Sequence, residues 1–116
     1  KFDEACVQFA KTFPKIIREI RAVNPDVKIY ADNIYNPAKG IDAFSQVYSV
    51  ADVYINRMNR GFYPSDEYVL VDIKKCFDGE KESMVNLSFK GREIDPHPSE
   101  KGHKKIAQMV IKAMER

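Results

Sequence analysis

Tyr68-Val69-Leu70-Val71-Asp72-Ile73 is a nearly continuous apolar run. A strand that alternates apolar and polar residues faces water on one side. An unbroken run is expected where helices cover both faces, which is the setting of a parallel sheet. Upstream, Val27-Lys28-Ile29-Tyr30-Ala31-Asp32-Asn33-Ile34-Tyr35 reads as a second buried strand. Between the two, residues 42 to about 58 place Phe44, Val47, Tyr48, Ala51, Tyr54, Ile55 and Met58 on one helical face. Strand, helix, strand implies parallel pairing through a crossover helix.

Outward from this unit lie two more helices. Phe2, Cys6, Phe9, Phe13, Ile16, Ile17 and Ile20 recur near a period of about 3.6, which predicts a helix from residue 2 to about 23. Pro14 removes one backbone donor inside it, so a kink, or a fresh start capped by Thr12, is expected. Asn24-Pro25-Asp26 is a stop signal, Asn36-Pro37-Ala38-Lys39-Gly40 a loop, and Arg60-Gly61-Phe62-Tyr63-Pro64 a second stop. Residues 78 to 88 are polar and irregular, with room for a short helical turn. The last helix runs from about Glu100 to Glu115, with Ser99 as N-cap and Ile106, Met109, Val110 and Ala113 as its apolar stripe. Two strands with three helices leave both sheet edges open, which points to strands supplied from elsewhere.

The totals narrow the function classes. The 116 residues fit one domain or part of one, and 19 basic against 17 acidic residues give a net charge of +2. That balance argues against nucleic acid or an anionic membrane as partner. Lys101, Lys104, Lys105 and Lys112 gather on the last helix and read as a solvated face. Cys6 and Cys76 show no metal-ligand spacing and read as two partly buried thiols, with a disulfide open to them in an oxidising compartment. No apolar run of about 18 residues, the length a membrane span needs, is present. No signal peptide is read. The first residue, Lys1, is no initiator, so a preceding segment is expected, and the compartment stays open between secreted and cytoplasmic.

The stretch that carries chemistry is Asp95-Pro96-His97-Pro98-Ser99-Glu100-Lys101-Gly102-His103. Each proline pushes the residue before it toward extended geometry. Residues two apart then share a side, so Asp95 can reach His97. A histidine just ahead of a helix N-terminus is disfavoured as a cation, and a neighbouring carboxylate offsets that while fixing the ring tautomer. This is the arrangement of a general base with its orienting acid. The plainer reading has Asp95 capping a turn and His97 packing. His103, in the first turn of the helix, reads as structural. Ser45, Ser49, Ser65, Ser83, Ser88 and Ser99 stand in no nucleophile-elbow pattern, and Ser99 is explained as a cap.

The segment Asp95-Pro96-His97-Pro98-Ser99-Glu100-Lys101-Gly102-His103-Lys104-Lys105-Ile106-Ala107 resembles the C-terminal motif of the SGNH, or GDSL-type, esterases and lipases. Ile20 to Tyr30 resembles that family's helix and following strand, Tyr35-Asn36-Pro37 the loop after it, and Val71-Asp72 with Phe77 the strand before the catalytic loop. The resemblance implies a three-layer α/β/α, flavodoxin-like fold with a parallel sheet, incomplete in this chain. Residues 1–116 would be the C-terminal portion of one such domain. It also implies hydrolysis of a small-molecule, lipid or carbohydrate ester by a serine nucleophile, with His97 as general base and Asp95 as its partner, and no cofactor. The family's acid stands three residues before the histidine. Here that position is Ile94, so Asp95 is assigned, with Glu93 as substitute. No position matches the family's Gly-Asp-Ser nucleophile or its oxyanion-hole Gly and Asn. The 116 residues alone are therefore expected to be inactive, the nucleophile lying upstream.

Two other readings compete. One is a non-catalytic α/β module that associates with a partner, or with itself, through an open sheet edge. The other is a flavodoxin-like binding domain, against which the lack of a phosphate-cradling loop counts. Tyr35, Asn36, Phe62 and Tyr63 are candidates to line a pocket, since Tyr35 and Asn36 follow a strand's end.

Overall fold

The structure is a computed structural model, described here for residues 1–86 and 95–116. In chain order it contains helix α1 (Phe2–Val23), strand β1 (Tyr30–Asp32), a 3-10 turn (Asp42–Phe44), helix α2 (Ser45–Asn59), strand β2 (Val69–Val71), helix α3 (Ile73–Asp78) and helix α4 (Glu100–Met114). The strands pair in parallel, Tyr30 with Val69, Ala31 with Leu70 and Asp32 with Val71, with α2 in the connection.

The three-layer α/β/α fold is overturned. The helices span 22, 15, 6 and 15 residues, while each strand spans 3. The described residues form a mostly helical structure around one two-stranded parallel sheet. The expected strands are cut short because side chains take the places that ladder partners would fill. Asn59 Oδ1 accepts from the Ile34 N–H at 2.9 Å, and Asn59 Nδ2 donates to the Ile34 carbonyl at 2.8 Å. At the other end, Arg21 Nη1 donates to the Pro25 and Val27 carbonyls, each at 3.2 Å, and its Nε donates to the Glu67 carbonyl at 2.9 Å. Strand β2 stops because Asp72 caps a helix. Its Oδ1 accepts from the Lys75 N–H at 3.0 Å and from Asn33 Nδ2 at 2.7 Å. Ile73 thus opens α3, a helix that the apolar run through Ile73 had concealed.

Helix α1 is one element, with Pro14 inside it. Thr12 is no cap, since its Oγ1 accepts from Gln8 Nε2 one turn earlier. Across the proline, Phe9 and Phe13 pack edge-on against Phe62, with centroids 5.2 and 5.0 Å apart, and Phe13 meets Tyr68 at 5.1 Å. This aromatic cluster joins α1 to the segment after α2.

The main core lies on the other side of the sheet. Val71, Ile73, Phe77 and Met84 are buried together, and the α4 stripe of Ile106, Met109, Val110 and Ala113 packs on them with Tyr30 and Tyr35. Asn36 is also buried, at 1 % exposure. It stays satisfied by donating to the Tyr48 carbonyl at 3.0 Å and to Asp52 Oδ1 at 3.3 Å, while its Oδ1 accepts from the Ala38 N–H at 3.1 Å. Lys74 sits between Asp52 and Asp78, at 2.9 and 2.7 Å. Burial works to raise the Asp52 carboxyl, but hydrogen bonds from Lys74, Asn36 and Asn56 outweigh it and hold it below the usual range.

The lysines of α4 form the expected solvated face: Lys101, Lys104 and Lys105 pair with Glu82, Glu100 and Glu80. Cys6 and Cys76 are free and partly covered. Among the described residues, no helix is long and apolar enough to cross a membrane.

Candidate active site

The site is assembled from the entrance of α4 and the loop beneath it. Ser99 caps α4, its Oγ accepting from the Gly102 N–H at 3.1 Å. The segment leading in is held extended against residues 84–86. The Ser99 N–H donates to the Met84 carbonyl at 2.9 Å, the Asn86 N–H donates to the His97 carbonyl at 2.8 Å, and Val85 and Pro98 form an antiparallel bridge. Tyr35 ties the segment from the side, its hydroxyl donating to the Pro96 carbonyl at 2.7 Å. The histidine thus hangs on a strap fixed at Pro96, His97 and Ser99, two residues ahead of the cap.

Gly102 sets how close this strap lies to the helix. A Cβ there would stand 2.1 Å from the Met84 carbonyl oxygen, a backbone atom that cannot swing away. Gly102→Ala is therefore expected to destabilise by about 1–3 kcal/mol despite alanine's better helix propensity. Urea denaturation checks the loss. Chemical-shift changes at Met84, Asn86 and His97 would show that the strap moves with it.

Within the strap, Asp95 and His97 meet. His97 Nδ1 lies 2.6 Å from Asp95 Oδ1, and the His97 backbone N–H donates to the same oxygen at 3.0 Å. The Asp95 carboxyl is held below its usual range, first by the His97 N–H, then by the imidazole, with Asn86 adding to both. An ionised carboxylate only accepts hydrogen bonds, so Nδ1 carries the proton and Nε2 is the basic nitrogen. The His97 side chain is 81 % exposed and that of Asp95 43 %. Among the described residues, no hydrogen bond engages Nε2.

This geometry has a pH consequence. A carboxyl with a depressed folded value contributes stability above the ordinary carboxylate range and loses it as pH falls through the depressed value. Asp95 is thus expected to titrate below the usual carboxylate range in a carbon-detected NMR titration. In His97→Ala the backbone donor survives, so the value should return only part of the way. A full return would show that the imidazole alone does the work.

Of the other expected residues, Tyr35 belongs to the site. Its ring lies 4.9 Å from Phe77, and burial together with the Asp95 charge pushes its hydroxyl up. Asn36 is a buried structural residue. Phe62 and Tyr63 belong to the aromatic cluster with Phe13. His103 is exposed on α4, its N–H donating to the Ser99 carbonyl. Ser49, Ser65, Ser83 and Ser99 are each tied to nearby backbone. Ser88, the substitute acid Glu93 and Ile94 lie outside the described residues. Sequence reasoning missed the floor beside His97. Ile34, Tyr35, Ile55 and Met58, with Pro96 and His97, line an apolar cavity of about 440 Å³. The signal for it, Ile55 and Met58 on the apolar face of α2, was indistinguishable from core. Among the described residues, no group of three or more His, Cys, Asp and Glu is placed to hold a metal.

Comparison with protein-family models, curated proteins and solved structures finds no match.

Proposed function

We propose that this chain supplies the general base, His97, and its orienting acid, Asp95, of a serine ester hydrolase, with the nucleophile and oxyanion hole contributed by protein outside these 116 residues. The observation that carries the reading is the 2.6 Å contact between His97 Nδ1 and an ionised Asp95, which leaves an exposed Nε2 to take a proton. The resemblance of Asp95 to Ala107 to the SGNH motif supports it independently of the geometry. In the reaction, Nε2 removes the proton of the serine hydroxyl as the oxygen attacks the ester carbonyl. The imidazolium so formed is stabilised by Asp95, and it returns the proton to the departing alkoxide. Water then repeats the cycle on the acyl-enzyme.

The test is turnover of p-nitrophenyl acetate by the complete gene product and by residues 1–116. Activity is expected in the first and not in the second. Equal activity in residues 1–116, surviving His97→Ala, would remove His97 from the mechanism.

A second reading, a non-catalytic module that associates through a sheet edge, is favoured by one observation. Val69 and Leu70 of β2 are 44 % and 41 % exposed, and among the described residues each strand has one unpaired edge. A concentration-dependent dimer, with no ester turnover by the complete protein, would select it.

A further inference from the structure

Helix α2 is apolar on more than its core face. Ile55 is buried and Tyr48, Ala51 and Met58 are partly covered, yet Val47, Val50, Val53 and Tyr54 stand 54, 62, 59 and 46 % exposed. A surface helix places its charged residues opposite the core. From Phe44 to Asn56 the only charged residue is Asp52, and it turns inward to Lys74 and Asn36. In a chain that is 31 % charged, the outer face of α2 is thus uncharged over roughly three turns.

The residues that bound this face are charged, and in a set order. Asp42 stands in the 3-10 turn ahead of the helix. Gln46, Val50, Val53, Arg57 and Arg60 follow at alternating spacings of four and three, which keeps them on one side of the helix. The stripe is negative at its start, uncharged along its length and positive at its end. Arg57 is already answered by Asp3 of α1. Asp42 and Arg60 are exposed, and among the described residues neither has an ion-pair partner. Tyr54 borders the stripe and is held edge-on against Phe2, with ring centroids 4.9 Å apart.

We infer that α2 pairs with α2 of a second copy of this chain, antiparallel about a two-fold axis near Val50. Charge selects both the occupant and the direction. Antiparallel order sets Asp42 of each copy against Arg60 of the other, and the two uncharged middles against each other. Parallel order would set Asp42 on Asp42 and Arg60 on Arg60. A partner with a charged face would bury its charges unpaired against Val47, Val50 and Val53. Antiparallel order also opposes the helix dipoles, so each end meets the opposite partial charge. The alternating spacing suits the shallow crossing of two packed helices. Because both copies use the same patch, the contact closes on itself and stops at a dimer. One helix face is smaller than the roughly 800 Å² per partner of a standard interface, so the dimer is a reversible one. The pairing goes beyond the hydrolase reading and does not depend on it.

Sedimentation velocity of the complete protein over a range of concentrations tests the pairing. The mass should rise from one copy to two and stop there. Val50→Glu sets two carboxylates together at the axis and should weaken association by about a hundredfold or more. The exposure of Val50 keeps the fold out of this result, and a thermal melt checks that it does. Asp42→Arg and Arg60→Asp should each weaken the dimer several-fold, since each puts like charges together twice per dimer. The double variant, with the charges exchanged, should recover the original affinity. A complete protein that stays monomeric at every concentration overturns the proposal. So does a dimer indifferent to Val50→Glu, which would place the association elsewhere, as at a sheet edge. Single reversals that the double variant fails to rescue overturn the antiparallel order.

Discussion

His97→Ala in the complete protein is expected to lower ester turnover by about 10²–10⁴-fold, the contribution of a positioned proton shuttle. The loss should fall on kcat with little change in KM, because Nε2 acts on a proton in flight and not on the bound substrate. Asp95→Asn is expected to cost less than the roughly 10⁴-fold seen when a buried triad aspartate is neutralised. Asp95 is 43 % exposed, so water can partly replace it as partner of the imidazolium. Asparagine would also present an amide to Nδ1 and permit the wrong tautomer, so the effect should exceed that of Asp95→Ser, which admits water. Circular dichroism and a thermal melt must accompany both variants, since the pair is on the surface and neither change should unfold the protein. A His97→Ala protein that keeps its kcat would refute the assignment outright.

Phe77→Ala is expected to destabilise by about 3–5 kcal/mol, a large part of the roughly 5–15 kcal/mol that holds a domain of this size together. Phe77 is 2 % exposed and is a member of the core with Val71, Ile73 and Met84. Its ring also supports Tyr35, at 4.9 Å, and Tyr35 holds the strap through the Pro96 carbonyl. Two effects are therefore expected at different sites. The denaturation midpoint should fall, and the His97 resonances should broaden or shift even where the protein remains folded. Phe77→Leu keeps most of the volume and should cost under about 1.5 kcal/mol. If Phe77→Ala costs less than Phe77→Leu, the core is not built as described. If stability falls while His97 is undisturbed, Tyr35 is not held by Phe77.

These two expectations bear on different parts of the chain for a physical reason. The Asp95–His97 contact is local. Two prolines keep the backbone extended, and the partners are two residues apart, so the pair could be read without knowing anything else about the molecule. Its support is long-range. Tyr35 reaches Pro96 across the fold, and Met84 to Asn86 form the other side of the strap. No spacing rule would have joined those residues.

Local periodicity and capping made legible the apolar stripe of α4, the Ser99 cap, the parallel order of β1 and β2, and the carboxylate beside His97. The faces expected of α1 and α2 hold only in part, since Ile16, Ile20, Val47 and Tyr54 are exposed. Tertiary structure decided how far each element extends. The run from Val27 to Tyr35 has strand character throughout, but three residues of it pair, because Arg21 and Asn59 satisfy the backbone on either side. The run from Tyr68 to Ile73 ends early because Asp72 finds Asn33 and caps α3 instead. Both outcomes depend on side chains far away in sequence, and that is why the strands are short and the helices dominate. The same holds for the cavity beside His97. Ile34, Ile55 and Met58 are apolar residues of the kind that fill cores, and only the tertiary packing left them lining it.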